Sequence, residues 1–232
     1  MPETSRVDLE TALAEAVHRA RNDLQAVTAM LQLQAAASTD PAVRQALLEA
    51  EGRVHALSSL NARLDVRAKG VKTTIDSTAF LDGLMTDLRS MHFGQRPVAF
   101  DIRADSHRIA VASARPLGLI LNELVVNALK YAFPEGRAGT VSVDFRCQAG
   151  ECVLTVRDDG IGIDPAAPPR GTGLGRRVIR ALTTQIGGAF TIGPGKDGIG
   201  TECTARWPAA SVVQAANRGH GRSRPVLRLI AR

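Results

Sequence analysis

The sequence predicts an α+β protein, with an N-terminal two-helix hairpin followed by an α/β sandwich whose mixed, largely antiparallel sheet carries helices on one face. Three observations lead there. Leu13, Val17, Ala20, Leu24, Val27 and Leu31 step by four and three, the period of a coiled-coil seam rather than of a helix lying on a sheet. Short runs further along, such as 153–158, alternate apolar and polar like half-buried strands. Two glycine-rich segments, Asp158-Asp159-Gly160-Ile161-Gly162 and Gly171-Thr172-Gly173-Leu174-Gly175, stand where strands and helices meet.

The hairpin comes first. Thr39-Asp40-Pro41 ends one helix and starts the next, with Asp40 as cap and Pro41 at the first helical position. Val43, Leu47, Ala50, Val54, Leu57 and Leu64 then repeat nearly the same spacing, interrupted by Asn61. Two helices cannot enclose such a seam alone, so residues 7–67 are expected to pair with a second copy, making a dimeric four-helix bundle. His18 lies one residue off the seam, which should leave its ring at the bundle's flank, and Asn22 lies one turn further on the same face.

Lys69-Gly70 reads as a hinge and divides the chain into a hairpin of residues 1–69, a domain of residues 70–208 and a basic, flexible tail of residues 209–232. The domain should begin with a strand at 71–75 and a helix at 78–91 that turns Phe80, Leu81, Leu84 and Leu88 inward. Strands at 98–102 and 109–111 follow. Next comes a strongly apolar helix, capped by Ser113 with Pro116 in its first turn, that sets Glu123, Asn127 and Lys130 on successive turns. A buried carboxylate, amide and ammonium demand partners. A hydrated divalent cation with a polyphosphate would supply them; three ordinary surface polar residues are the other reading.

A strand pair at 140–145 and 152–157 delivers Asp158 to a strand end, where its carboxylate can accept a hydrogen bond from an exocyclic amine. Gly160 and Gly162, two apart, let the backbone turn tightly and a flat ligand lie against it. The second glycine segment opens a helix through Val178, Ile179, Leu182 and Ile186 that stops at Gly187-Gly188. Free amides and the positive dipole end at such a helix start attract phosphate. Strands at 189–192 and 201–207 complete the sheet.

In this order and spacing, the polar helix, the Asp-x-Gly-x-Gly strand end, the Gly-Thr-Gly-Leu-Gly turn and Gly200-Thr201 resemble the four nucleotide boxes of the Bergerat-type ATPase domain. That domain is shared by gyrases, Hsp90-type chaperones, histidine kinases and mismatch-repair proteins, and the likeness covers about residues 72–208. It implies that Asn127 holds Mg2+, that Asp158 binds the adenine amine with support from Thr201, and that Gly171, Thr172, Gly173, Leu174 and Gly175 line the phosphates of ATP. It also suits Lys130 to a phosphate contact and Tyr131 to the edge of the base. Glu123 matches the position where ATP-hydrolysing branches keep a general base.

What such a domain does with ATP depends on the hairpin. His18-Arg19-Ala20-Arg21-Asn22-Asp23-Leu24-Gln25 closely resembles the phosphoacceptor box, roughly His-Arg-x-Lys-Asn-Asn-Leu-Gln, of a subfamily of two-component histidine kinases. The resemblance implies autophosphorylation of His18 and transfer to an aspartate of a response-regulator receiver domain, with Arg21 and Asn22 contacting the phosphoryl group. A neutral imidazole is already nucleophilic near pH 7, and a carboxylate that takes its other ring proton would help. Many relatives keep an acid directly after the histidine. Here that residue is Arg19, which leaves Glu15 and Glu123 as the candidates. Asn22 also matches the place where some relatives position a water for phosphatase activity. A second subfamily, with a histidine in the asparagine box and Trp-x-Glu in place of the Asp box, does not fit Tyr131 and Asp158. The short, proline-rich segment 164–170 lacks the phenylalanine box of many kinases and predicts a small lid and moderate or weak ATP affinity.

Composition excludes several alternatives. The net charge of +6 is not a nucleic-acid signature, because five arginines and no acid follow Pro208, so the body is near neutral and offers no basic face to a duplex. No apolar run approaches the length of a membrane span. Cys147, Cys152 and Cys203 have neither metal nor redox spacing and are expected to be reduced core residues of a cytoplasmic protein. The tail is expected to be solvated, with docking or membrane-surface binding by 226–230 as the sharper alternative. A sensor region is expected from a partner or from a longer chain. The competing functions are a non-catalytic phosphotransfer adaptor, which would need no ATP site, and an anti-sigma-type serine kinase, which would not need the His18 hairpin.

Overall fold

The computed structural model describes residues 3–65, 74–92, 97–163, 173–209 and 225–229. The chain divides into two compact units, Met1–Val71 and Lys72–Arg232.

The first unit is the hairpin of α1 (Glu3–Ala37) and α2 (Pro41–Asp65). Asp40 caps α2, its Oδ1 accepting from the backbone N–H of Ala42 at 2.8 Å, which satisfies a donor that the helix start leaves open. Ala35, Ala56, Leu60 and Leu64 are buried, and Gln32 donates across the hairpin to Glu51. The rest of the seam is only half covered. Leu24, Leu31, Leu47, Ala50, Val54 and Leu57 are half-buried, while Val27, Met30, Leu33, Val43 and Leu48 are exposed. The side chains of Leu13 and Val17 lie outside the described residues. Asn61, which interrupts the seam, buries its Oδ1 without a hydrogen-bond partner.

The second unit runs β1 (Thr74–Asp76), α3 (Ser77–His92), β2 (Val98–Ala104), β3 (Arg108–Ala110), α4 (Val111–Tyr131), β4 (Gly139–Gln148) and β5 (Glu151–Asp158). It continues through α5 (Leu174–Gln185), β6 (Ala189–Pro194), β7 (Thr201–Pro208) and β8 (Pro225–Leu229). β1 and β3 form a small ribbon, and the other strands form a six-stranded sheet in the order β6-β7-β5-β4-β2-β8. Only the β2–β4 pair is parallel. Period-two alternation divides the sheet between two faces. Phe100, Ile102, Val141, Val143, Phe145, Leu154, Val156, Ala205 and Trp207 are buried, as are Leu84 and Leu88 of α3 and Leu117, Leu121 and Leu124 of α4. Phe145 and Trp207 stack with ring centroids 6.0 Å apart. The other face carries self-neutralising pairs such as Asp144–Arg146 and Arg157–Glu202.

Three expectations need correction. α4 begins at Val111, straight out of β3, so Ser113 is a buried residue inside the helix rather than its cap, and Pro116 lies beyond the first turn. Cys147 and Cys152 are joined in a disulfide. Ala149 and Gly150, with φ of 51° and 84°, close β4 and β5 in a two-residue turn. That turn puts the cysteines directly opposite each other, with Cα atoms 4.1 Å apart, so these cysteines do not argue for a reducing compartment. Cys203 is a free thiol. Finally, Pro225–Leu229, read from sequence as part of the flexible tail, pairs antiparallel with β2, setting Arg228 opposite Asp101. Among the described residues no helix is long and apolar enough to cross a membrane.

An uncovered strand edge is a template for pairing with another chain, and β8 covers that of β2. Deleting residues 211–232 is therefore expected to raise the assembly size above that of the intact chain in a concentration-dependent way, measured by light scattering. An unchanged assembly size would show that β8 does not protect this edge.

Candidate active site

A cleft in the second unit opens between α4, the C-terminal end of β5, the start of α5 and the adjoining strands β6 and β7. Its walls include Leu124, Asn127, Ala128, Tyr131, Asp158, Gly162, Ile163, Arg176, Ile192, Thr201 and Cys203. Three of the four segments singled out in the sequence therefore reach it directly, and the Gly171–Gly175 segment reaches it through Arg176 at the start of α5. Gly171 and Thr172, with the lid segment 164–170, lie outside the described residues.

Asp158 is the most constrained of these groups. The backbone N–H groups of Gly160 and Thr201 both donate to its Oδ1, each at 3.1 Å, and the Thr201 side chain hydrogen-bonds the carboxylate as well. Burial raises the Asp158 carboxyl above its ordinary value, opposed by the hydrogen bonds from Gly160 and Thr201. Two glycines make the arrangement possible. A Cβ on Gly160 would strike the Ala132 carbonyl, and one on Gly200, at φ 67°, would strike the backbone oxygen of Asp158. Gly162, at φ 74°, lies against Gly200. The Asp-x-Gly-x-Gly and Gly-Thr segments are thus one packed unit, for which only glycine leaves room.

Asn127 faces the cleft from the C-terminal part of α4 and makes no hydrogen bond among the described residues. Among the described residues, no group of three or more His, Cys, Asp or Glu side chains could hold a metal ion. A single amide oxygen fits one kind of cation: a hard, hydrated one that takes its remaining ligands from water and phosphate. Magnesium fits that description. Tyr131 lines the cleft as expected. Glu123 does not; it is buried, with partners of its own. Lys130 is exposed and partnered, and also lies outside the lining.

At the other end, Gly173 precedes α5 in the left-handed conformation at φ 67° and leaves the helix without a side-chain cap. Leu174 is exposed and Gly175 buried. The open amides of this turn can hold an anion. Arg176 and Cys203 were not anticipated. Burial pushes the Cys203 thiol up to about 12, so it is a neutral, unreactive wall of the cleft.

In the first unit His18, Arg21 and Asn22 are exposed. Asn22 Nδ2 lies 3.3 Å from His18 Nδ1, and the amide can turn to serve either ring tautomer. With the proton on Nδ1 and the amide oxygen accepting it, Nε2 presents its lone pair to solvent. Glu15, a candidate for that proton, is engaged by Arg19 at 3.2 Å.

Two family models match the chain: "Histidine kinase" over residues 15–92 and "Histidine kinase-, DNA gyrase B-, and HSP90-like ATPase" over residues 112–211. Blue-light-activated histidine kinase 2 of Erythrobacter litoralis is 29% identical over 82% of this chain and 56% of its own length. Sensor histidine kinase PdtaS of Mycobacterium tuberculosis is 25% identical over 87% of this chain and 40% of its own. The chain thus spans about half the length of these curated relatives. Among solved structures, the histidine kinase domain of the Erythrobacter litoralis EL346 blue-light activated histidine kinase superposes with a TM-score of 0.61 at 27% identity, covering 90% of this chain and 95% of that one. The hairpin and the ATPase unit match these two models in the order found in histidine kinases, and the relatives align across both, so the chain carries a two-component sensor histidine kinase core.

Proposed function

We propose that this chain binds Mg-ATP in the α4–β5–α5 cleft, phosphorylates His18 and passes the phosphoryl group to an aspartate of a response-regulator receiver domain. The observation that supports this most strongly is Asp158, whose carboxylate lines the cleft with its Oδ1 held by two backbone donors, set to accept from a base amine. Asn127 would hold the magnesium ion, which offsets phosphate charge when bound. The open turn at Gly173 receives the phosphates, and Thr201 fixes Asp158 through its backbone N–H.

At His18, Asn22 accepts a hydrogen bond from Nδ1–H, which points the Nε2 lone pair at the γ-phosphorus, and the Nδ1 proton of the phosphorylated ring is released to solvent. The Nε2–P bond forms as the bond from the γ-phosphorus to the bridging oxygen breaks, and ADP leaves with that electron pair. Arg21, exposed on the same helix, offers a cation to the transferred group. Glu123 is buried and lies outside the cleft lining, so Asn22 is the better placed partner for His18. The half-covered seam and the exposed Val27, Met30, Leu33, Val43 and Leu48 favour a homodimer through the hairpin, with the flank around His18 left for the receiver. A cytoplasmic location and a sensor supplied by a partner or a longer chain accord with this role.

Incubation with γ-labelled ATP and Mg2+ tests the reaction class. The expected product is protein-bound label that is acid-labile and base-stable and that moves to an added receiver domain. No label would point to a phosphotransfer adaptor, and acid-stable label on a partner's serine to a serine kinase.

A further inference from the structure

Three arginines lie in α5, and one of them is out of place. Arg177 and Arg180 are exposed, as helix-surface cations should be. Arg176 is half-buried and shares the inward stripe of α5 with Ile179 and Thr183, three and seven residues on, both buried. That stripe is where an amphipathic helix carries apolar residues. A cation there demands a counter-charge, yet among the described residues Arg176 makes no hydrogen bond or ion pair. Its side chain instead lines the cleft beside Ile192 and Cys203. A local rule broken at a cleft wall without compensation among the described residues is the pattern of a group kept for a ligand.

The position along the cleft decides which part of the ligand. Asp158 marks the end that receives the base amine, and the open turn at Gly173 marks the phosphate end. Arg176 is in the first turn of α5, three residues past Gly173, and its side chain lines the same cleft as Asp158, so it is set to meet the phosphate that adjoins the ribose. That group is the α-phosphate, and a guanidinium matches phosphate in both charge and geometry.

We propose that Arg176 is a nucleotide-binding residue that engages the α-phosphate, an inference that rests on the Mg-ATP reading of the cleft. Adenosine, AMP, ADP and ATP, titrated against wild-type protein and the Arg176→Leu and Arg176→Lys variants, separate the possibilities. Arg176→Leu is expected to leave adenosine affinity within about two-fold and to weaken AMP, ADP and ATP by one common factor of about 10, with Arg176→Lys in between. The unliganded Arg176→Leu protein should melt no lower than wild type, because an apolar side chain replaces an unpaired cation on an apolar stripe. Equal loss for all four ligands, adenosine included, would mean a packing or base-contacting role and overturn the assignment, as would no loss at all. Failure of the wild-type protein to bind ATP would instead overturn the Mg-ATP reading, and this assignment with it. Asp158→Asn, which should weaken all four ligands alike, marks that difference.

Discussion

Asp158→Asn is expected to abolish ATP binding, by 100-fold or more on an order-of-magnitude estimate, while leaving the empty fold intact or slightly more stable. Both backbone donors reach the same carboxylate oxygen, from Gly160 and Thr201. In the variant the amide oxygen must take that place, which turns the NH2 group toward the ligand. An amine would then face an amine, so the base loses a charge-assisted hydrogen bond and leaves a buried donor unsatisfied. Together these cost about 3 kcal/mol or more. The opposite sign for stability follows from the electrostatics. Burial raises the Asp158 carboxyl above its ordinary value, so the empty site favours the protonated form. Its contribution to stability is present below the unfolded-state value and lost as pH rises through the folded one. At neutral pH the ionised carboxylate is therefore a strain that Asn removes. By the same sign, ATP affinity should fall on acidification at a higher pH than for an ordinary aspartate, because the ligand amine needs the ionised form. Calorimetric titration of both proteins against pH, with their melting temperatures, checks each part. ATP binding by the variant within a few-fold of wild type would remove Asp158 from the site.

The second large effect is expected at the other unit. His18→Gln should eliminate protein-bound phosphate while changing ATP affinity by less than about two-fold, since the nucleotide cleft is lined wholly by the second unit. Glutamine keeps the bulk and polarity of an exposed position, and surface substitutions of this kind shift stability by about 0.5 kcal/mol or less. A lost signal therefore cannot be ascribed to unfolding. Residual acid-labile label in the variant would direct attention to another histidine.

The readable parts of this chain were those whose signal is local. The Asp40 cap, the helix that carries Asn127 and the Asp-x-Gly-x-Gly strand end each depend on residues within a few positions of one another, and the structure has each of them; Glu123 and Lys130 do not join Asn127 in the cleft lining. Gly160 and Gly200 show why such glycines are informative: each leaves room for a backbone that comes from elsewhere in the chain. The unread parts depend on partners distant in sequence. Residues 225–229 have strand composition, yet only the open edge of β2, more than a hundred residues earlier, makes them a strand. The disulfide needed the register of the β4–β5 hairpin, which a one-residue longer turn would have changed. Arg176 had a legible signal that composition conceals, a cation at the first position of the 176, 179, 183 stripe. Lys130 was the more obvious cation by spacing on α4, but its side chain is not among those that line the cleft.

Locating the phosphate on the chain tests the proposed reaction most directly. Wild-type protein incubated with Mg-ATP, digested under alkaline conditions and sequenced by mass spectrometry, is predicted to carry a single phosphoramidate, on His18, that is absent from Asp158→Asn protein treated in the same way. Phosphate on any other residue, or steady ATP turnover with none on the chain, would contradict it.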